Sequence, residues 1–183
     1  MITFSNIINN NIQYLLSDEF KNREDSKTNI DSVSKLVEIN KKGILTIESQ
    51  IGVKEKYKNY EIYERAYIIG FMMKKKANNL LKKLAISMSD KVMIILPFNK
   101  FENLPAINDI PLTIEKNIKN SKSKIITHMS VGITKEQFNF EAKNIGFEKK
   151  DYENIVMVFI FDPIWNRFSL DKDGLLTIIV NHL

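Results

Sequence analysis

Apolar and polar positions follow two rhythms along this chain, one at three to four residues and one at two, and each rhythm predicts a different element. From Ile2 to about Phe20, the positions Phe4, Ile7, Ile8, Ile12, Leu15 and Leu16 recur at three and four, predicting an amphipathic helix despite the mediocre helix propensity of Asn. After the polar stretch KNREDSKTN, Val33, Leu36 and Val37 share one face of a second helix, with Asp31 as N-cap and Gly43 at C′. In GILTIESQIG, Leu45 and Ile47 alternate with Thr46 and Glu48. This is the period of a half-buried strand with Leu45 and Ile47 inward, and Gly52 can turn the chain out of it. The longest helix is expected from Tyr60 to Leu84, with Ile62, Ala66, Ile69, Met73, Ala77, Leu80 and Leu84 as its seam. Gly70 interrupts that helix at a cost of about 1 kcal/mol, for which close packing of another backbone is the expected compensation.

Further on, KVMIILPF reads as a buried central strand stopped by Pro97, and 99–123 as a loop-rich segment with a brief strand at PLTIEK. KIITHMSVG predicts a strand. TKEQFNFEAKNIG predicts a helix capped by Thr134, with Gln137 as capping-box partner and Gly146 closing it. NIVMVFIFDP is the most hydrophobic strand, and Asp173 can cap a terminal helix over GLLTIIVNHL, although its β-branched residues keep a strand open. The order is near α α β α β β α β α. It predicts an α/β or α+β fold, a single-layer sheet of about four to five strands packed by four to five helices, in one globular domain over 1–183 with helix 2–20 peripheral.

Composition narrows the chemistry. A chain of 183 residues, 44% hydrophobic, can bury one substantial core. It has no cysteine and only His128 and His182, so disulfides, thiolate metal sites and a cysteine nucleophile are excluded and a histidine-rich metal site is not expected. No cofactor, metal or catalytic residue is assigned. No run approaches the ~18 apolar residues of a membrane span. The N-terminal stretch lacks the plan of a secretory signal, so the expectation is an intracellular, non-secreted protein. The net charge of +5 is local: Lys54 to Leu84 holds nine Lys or Arg against three Glu. Abundant Asn, Ile and Lys fit an AT-rich coding genome.

Four constellations merit a reading. Lys74, Lys75, Lys76, Lys82 and Lys83, with Arg65 and Tyr57, Tyr60, Tyr63 and Tyr67 upstream, can present cations and aromatic rings to nucleic acid, or simply form a solvated outer face. No helix-turn-helix, zinc-finger or ribonucleoprotein signature accompanies them. Ser49 and Gln50 bring donors and acceptors to a strand end, suited to a polar ligand or to satisfying local backbone groups. In FDPIWNRF, Asp162 can pair with Arg167 or Arg65, and Trp165 can wall a pocket or cap a turn. DKDG (171–174) lacks the later ligands of a calcium loop and reads as a helix cap, while His128 reads as a structural residue within a strand. Walker, GxGxxG, HExxH and GxSxG motifs are absent.

INKKGILTIESQIG (39–52), YERAYIIGF (63–71) and FDPIWNRF together resemble an uncharacterised domain family of large DNA viruses and actinobacteria. That family has a helix ending in Asn and Gly, a Thr-x-x-Ser-Gln-Pro-Gly stretch, an aromatic-Arg and Gly-Phe pair, and a late Asp-x-x-Trp-x-Arg element. This chain differs at Ile51, where the family has proline, and at Asn166, where glycine is usual. The resemblance implies a common binding surface of Thr46, Ser49, Gln50, Arg65, Asp162, Trp165 and Arg167, and it implies no activity. It also implies a viral setting, in host cytoplasm or virion.

The leading expectation is a non-enzymatic binding protein acting through nucleic acid or a host or viral protein. Two alternatives stand beside it. One is a metal-free hydrolase or nucleotide-modifying enzyme at the Ser49, Gln50, Asp162 and Arg167 corner. The other is a self-associating virion component. The sequence leaves the oligomeric state open.

Overall fold

A computed structural model describes residues 3–21, 30–87, 93–95, 110–129, 135–165, 167 and 169–183. It is an α+β arrangement with eight strands in two four-stranded sheets, antiparallel throughout, and six α-helices among these residues. A single-layer sheet of four to five strands is therefore not what forms. Of the three strands not expected, two lie where a helix was expected, and the third precedes it at Val53–Tyr57. Residues 60–84 divide into β3 (Tyr60–Glu64), β4 (Tyr67–Met73) and α4 (Lys74–Ser87). The apolar residues of 62–73 stand at three- and four-residue spacings, and β4 is buried on both faces over Tyr67–Met72, so it lacks the period of two that would have marked it.

The first sheet has the order β1-β4-β8-β5, with β1 over Leu45–Gln50, β8 over Ile155–Phe161 and β5 over Met93–Ile95. β8 is buried along its whole length, as its unbroken apolar run predicts. Among the described residues β5 pairs only with β8 and ends the sheet, where a central strand was expected of KVMIILPF. Gly70 belongs to this sheet. The backbone approach predicted for it exists, with Leu45 O only 2.5 Å from where a Cβ would stand.

The second sheet has the order β2-β3-β6-β7, with β2 over Val53–Tyr57, β6 over Ile110–Asn117 and β7 over Ser123–Met129. The brief strand expected at PLTIEK forms as β6, and residues 99–109 of the stretch expected to be loop-rich lie outside the described residues. Only Ile110 of this sheet joins the buried core, with Leu112 and Met129 packed against it.

One ribbon joins the two sheets. β1 pairs with β4 and β2 pairs with β3, and Gln50 opposite Tyr67 and Val53 opposite Glu64 keep the same register. Leu45 to Met73 is thus a single long hairpin, turning at Lys58–Asn59 and bent where Ile51–Gly52 faces Arg65–Ala66. Gly52 sits at the bend with φ of 75°.

Helices α1 (Phe4–Leu16), α3 (Ile30–Lys42) and α6 (Leu175–His182) pack together, and α2 (Asp18–Lys21) extends α1. α1 is not peripheral: Ile7, Ile8, Ile12 and Leu15 enter the core. Asp31 lies inside the first turn of α3, and Gly174 rather than Asp173 is the N-cap of α6. α3 ends as expected at Gly43. Ile44 N–H donates to Ile39 O and Gly43 N–H to Asn40 O, the paired bonds of a Schellman closure. The same pair of bonds, at Gly146 and Phe147, closes α5 (Lys135–Ile145). Thr134 and Asn166, named from sequence, lie outside the described residues.

Candidate functional site

The bend in the ribbon gathers half of the sequence-nominated residues. Asp162 follows β8 and is fully buried. Its Oδ2 accepts from Arg167 Nε and its Oδ1 from Arg167 Nη2, both at 2.7 Å, and Oδ1 also accepts from Ile164 N–H at 2.8 Å. Arg65, 8% exposed, lies in the joint between β3 and β4. Its Nη1 donates to Asp162 O at 2.7 Å and its Nε to Pro111 O at 3.1 Å. The guanidinium stacks 4.2 Å from the Trp165 ring centroid, and burial pushes its pKa down while Asp162 opposes that shift. One arginine thus links the end of β8 to β6, and so ties the two sheets together. Across the bend, a Cβ on Gly52 would meet Arg167 O at 2.8 Å, and Ser169 N–H donates to Ile51 O.

Thr46 sits elsewhere. Ile47 is the extra residue of a bulge between Thr46 and Glu48, which turns Ile47 outward to 37% exposure and brings Thr46 inward. Leu45 is buried and Glu48 exposed as expected of this strand, whereas Thr46 and Ile47 exchange their expected sides. Asn40 holds the bulge: its Nδ2 donates to Thr46 Oγ1 at 2.7 Å and Leu36 O at 2.8 Å, and its Oδ1 accepts from Thr46 N–H and from Asn11. Sequence reasoning assigned Asn40 no role, although the Asn and Gly of the family pattern were the available signal.

Ser49 and Gln50 lie at the end of β1 in a groove of about 480 Å³ between the helices and the bent ribbon. Tyr14, Leu15, Val33, Leu36, Ile47 and Val53 supply apolar wall. Glu48, Glu55 and Glu64 supply the charge, and among the described residues no Lys, Arg or His lines it. Tyr67 donates its hydroxyl to Glu48 at 2.5 Å, and Gln50 donates to Glu64. Burial first, then Glu48 and Glu64, push the Tyr67 pKa well up. Ser32 lines the same groove, is 7% exposed, and its hydroxyl bonds to nothing. An unpaired buried hydroxyl costs about 1–3 kcal/mol.

Lys74, Lys75, Lys76, Lys82 and Lys83 are exposed on α4, separate from both clusters. The aromatics expected beside them are on the ribbon, not on their helix. His128 is exposed on β7. Among the described residues, no group of three or more His, Cys, Asp or Glu is placed to hold a metal ion, and no helix is long and apolar enough to cross a membrane.

The profile of the family described as "Domain of unknown function (DUF6919)" matches residues 10–183. The chain belongs to the DUF6919 family. Comparison with curated proteins gives no match. The span that defines this DUF6919 domain includes the ribbon, the Asp162 cluster and the groove alike.

Proposed function

We propose that this domain is a non-enzymatic binding module that engages a partner protein through the groove beside β1 and the adjoining face of the second sheet. The observation that carries this reading is the openness of that sheet. An antiparallel sheet ordinarily buries one face against a core. Here Tyr57 and Tyr60 stand exposed on the face that carries Glu55 and Glu64 into the groove, and Ile126 is exposed on β7 of the same sheet. Contiguous exposed apolar surface rimmed by polar groups is the usual mark of a protein contact. The Asp162, Arg65 and Arg167 cluster supports the binding reading by giving the bend a fixed shape, its carboxylate being engaged by a bidentate arginine. The family resemblance and the AT-rich composition support a viral setting.

Selection from a displayed random-peptide library tests this. The wild-type domain should enrich a peptide consensus that is lost in Ile47→Lys and Ile126→Lys variants of unchanged melting temperature. Absence of any enrichment, or enrichment unaffected by both substitutions, overturns the reading.

One further observation favours nucleic acid as a second ligand. α4 exposes five lysines and its sequence contains no Asp or Glu. Anisotropy of labelled DNA and RNA across salt concentrations decides it. Binding with a steep salt slope that disappears in the Lys74, Lys75, Lys76→Gln triple variant supports this role, and no binding at low salt rejects it.

A further inference from the structure

Resting on the protein-binding reading, we propose that the groove beside β1 receives an extended, lysine- or arginine-bearing segment of the partner. The segment adds along the open edge of the ribbon, with its cations against Glu48, Glu55 and Glu64.

Charge is the first argument. The chain as a whole is +5, yet among the described residues three carboxylates and no cation line this groove. No described Lys, Arg or His lies within ion-pair distance of the three; Glu48 and Glu64 accept only from the neutral donors Tyr67 and Gln50. The negative field is therefore uncompensated beside an apolar wall, the setting in which an incoming cation with an aliphatic stem is favoured.

The edge is the second argument. β1 is the outer strand of the first sheet and β2 the outer strand of the second, and they follow one another along the groove. An outer strand leaves one row of backbone donors and acceptors without a strand partner, which an added peptide strand can take up. Asn11 already blocks one end of this edge by donating to Thr46 O at 3.1 Å, and at the joint Ile51 O already accepts from Ser169 N–H, so the open stretches are Glu48–Gln50 and, beyond the joint, β2.

Fluorescence anisotropy with labelled octapeptides of four kinds tests the proposal. One alternates Lys and Val, one Gln and Val, one Glu and Val, and one is the Lys/Val peptide N-methylated on every second amide, made in both registers. The Lys/Val peptide should bind at least tenfold more tightly than the Gln/Val peptide, with the Glu/Val peptide weakest. Methylation in one register should abolish binding. A Glu48, Glu55, Glu64→Gln triple variant should lose the Lys preference. Equal binding of the Lys, Gln and Glu peptides overturns the charge rule while leaving a protein-binding groove intact. Indifference to methylation in both registers overturns the extended geometry. No binding of any octapeptide, with a consensus still emerging from the library, overturns this inference alone. Light scattering that shows a dimer dissociated by the Gln triple variant would make a second copy the occupant and also overturn it.

Discussion

Arg167 grips the fully buried carboxylate of Asp162 with two parallel hydrogen bonds of 2.7 Å. The planar fork of the guanidinium satisfies both oxygens, so removing either partner strands a charge in the interior. Arg167→Ala is expected to cost about 3–5 kcal/mol by that mechanism. The Asp162→Ala and Arg167→Ala double variant should lose much less than the sum of the two single losses, because residues in one buried network couple strongly. Urea unfolding of the wild type, both single variants and the double variant measures this, and simple additivity would show that the pair contributes no shared energy.

Gly70 bears on how closely the ribbon can zip. A Cβ there would stand 2.5 Å from Leu45 O and 3.0 Å from Ile44 Cγ2, so Gly70→Ala forces β1 away from β4. Overpacking of this kind costs about 1–3 kcal/mol. A clear drop in melting temperature is the expected result, and an unchanged one would mean that β1 yields without loss.

Tyr67 makes stability depend on alkaline pH. Its phenol is held protonated by burial, by the bond to Glu48 and by the nearby carboxylates, so its folded pKa lies above the value of about 10 for an unfolded tyrosine. The stabilisation is fully present below about pH 10 and declines as pH rises further, since the unfolded chain then loses its proton first. Chemical unfolding between neutral pH and pH 11 should show a steeper decline in the wild type than in Tyr67→Phe. Identical slopes would show that the phenol ionises alike in both states.

Elements whose burial is one-sided and whose ends carry glycine could be read from the sequence. α1, α3 and α5 show three-to-four spacing, and Gly43 and Gly146 mark two helix ends by positive φ. The β2–β3 hairpin was hidden because it turns at Lys58, which takes φ of 51° without the glycine that usually announces such a turn. The strand-forming run of Tyr, Ile, Phe and Met at 60–73 was the signal that spacing overrode. At the site, Asp162 with Arg167 was legible as a nearby opposite-charge pair, whereas its convergence with Arg65 and Gly52 depends on the bend. The acidic groove was not legible at all. Its walls come from three helices and three strands, and its mouth depends on a bulge that turns Ile47 outward against the alternation.

The shared ribbon also orders events in time. The β2–β3 half closes around Lys58 with only local contacts, and hairpins of that kind form within about 1–10 μs. The β1–β4 half is completed on its other side by β8, which lies far along the chain, and such non-local pairing is slow. Refolding should therefore proceed from the tip of the ribbon toward the bend. Pulse-labelled hydrogen exchange would register it as early protection of amides near Glu61 and late protection near Ile69, and the reverse order would mean that the core sheet templates the tip.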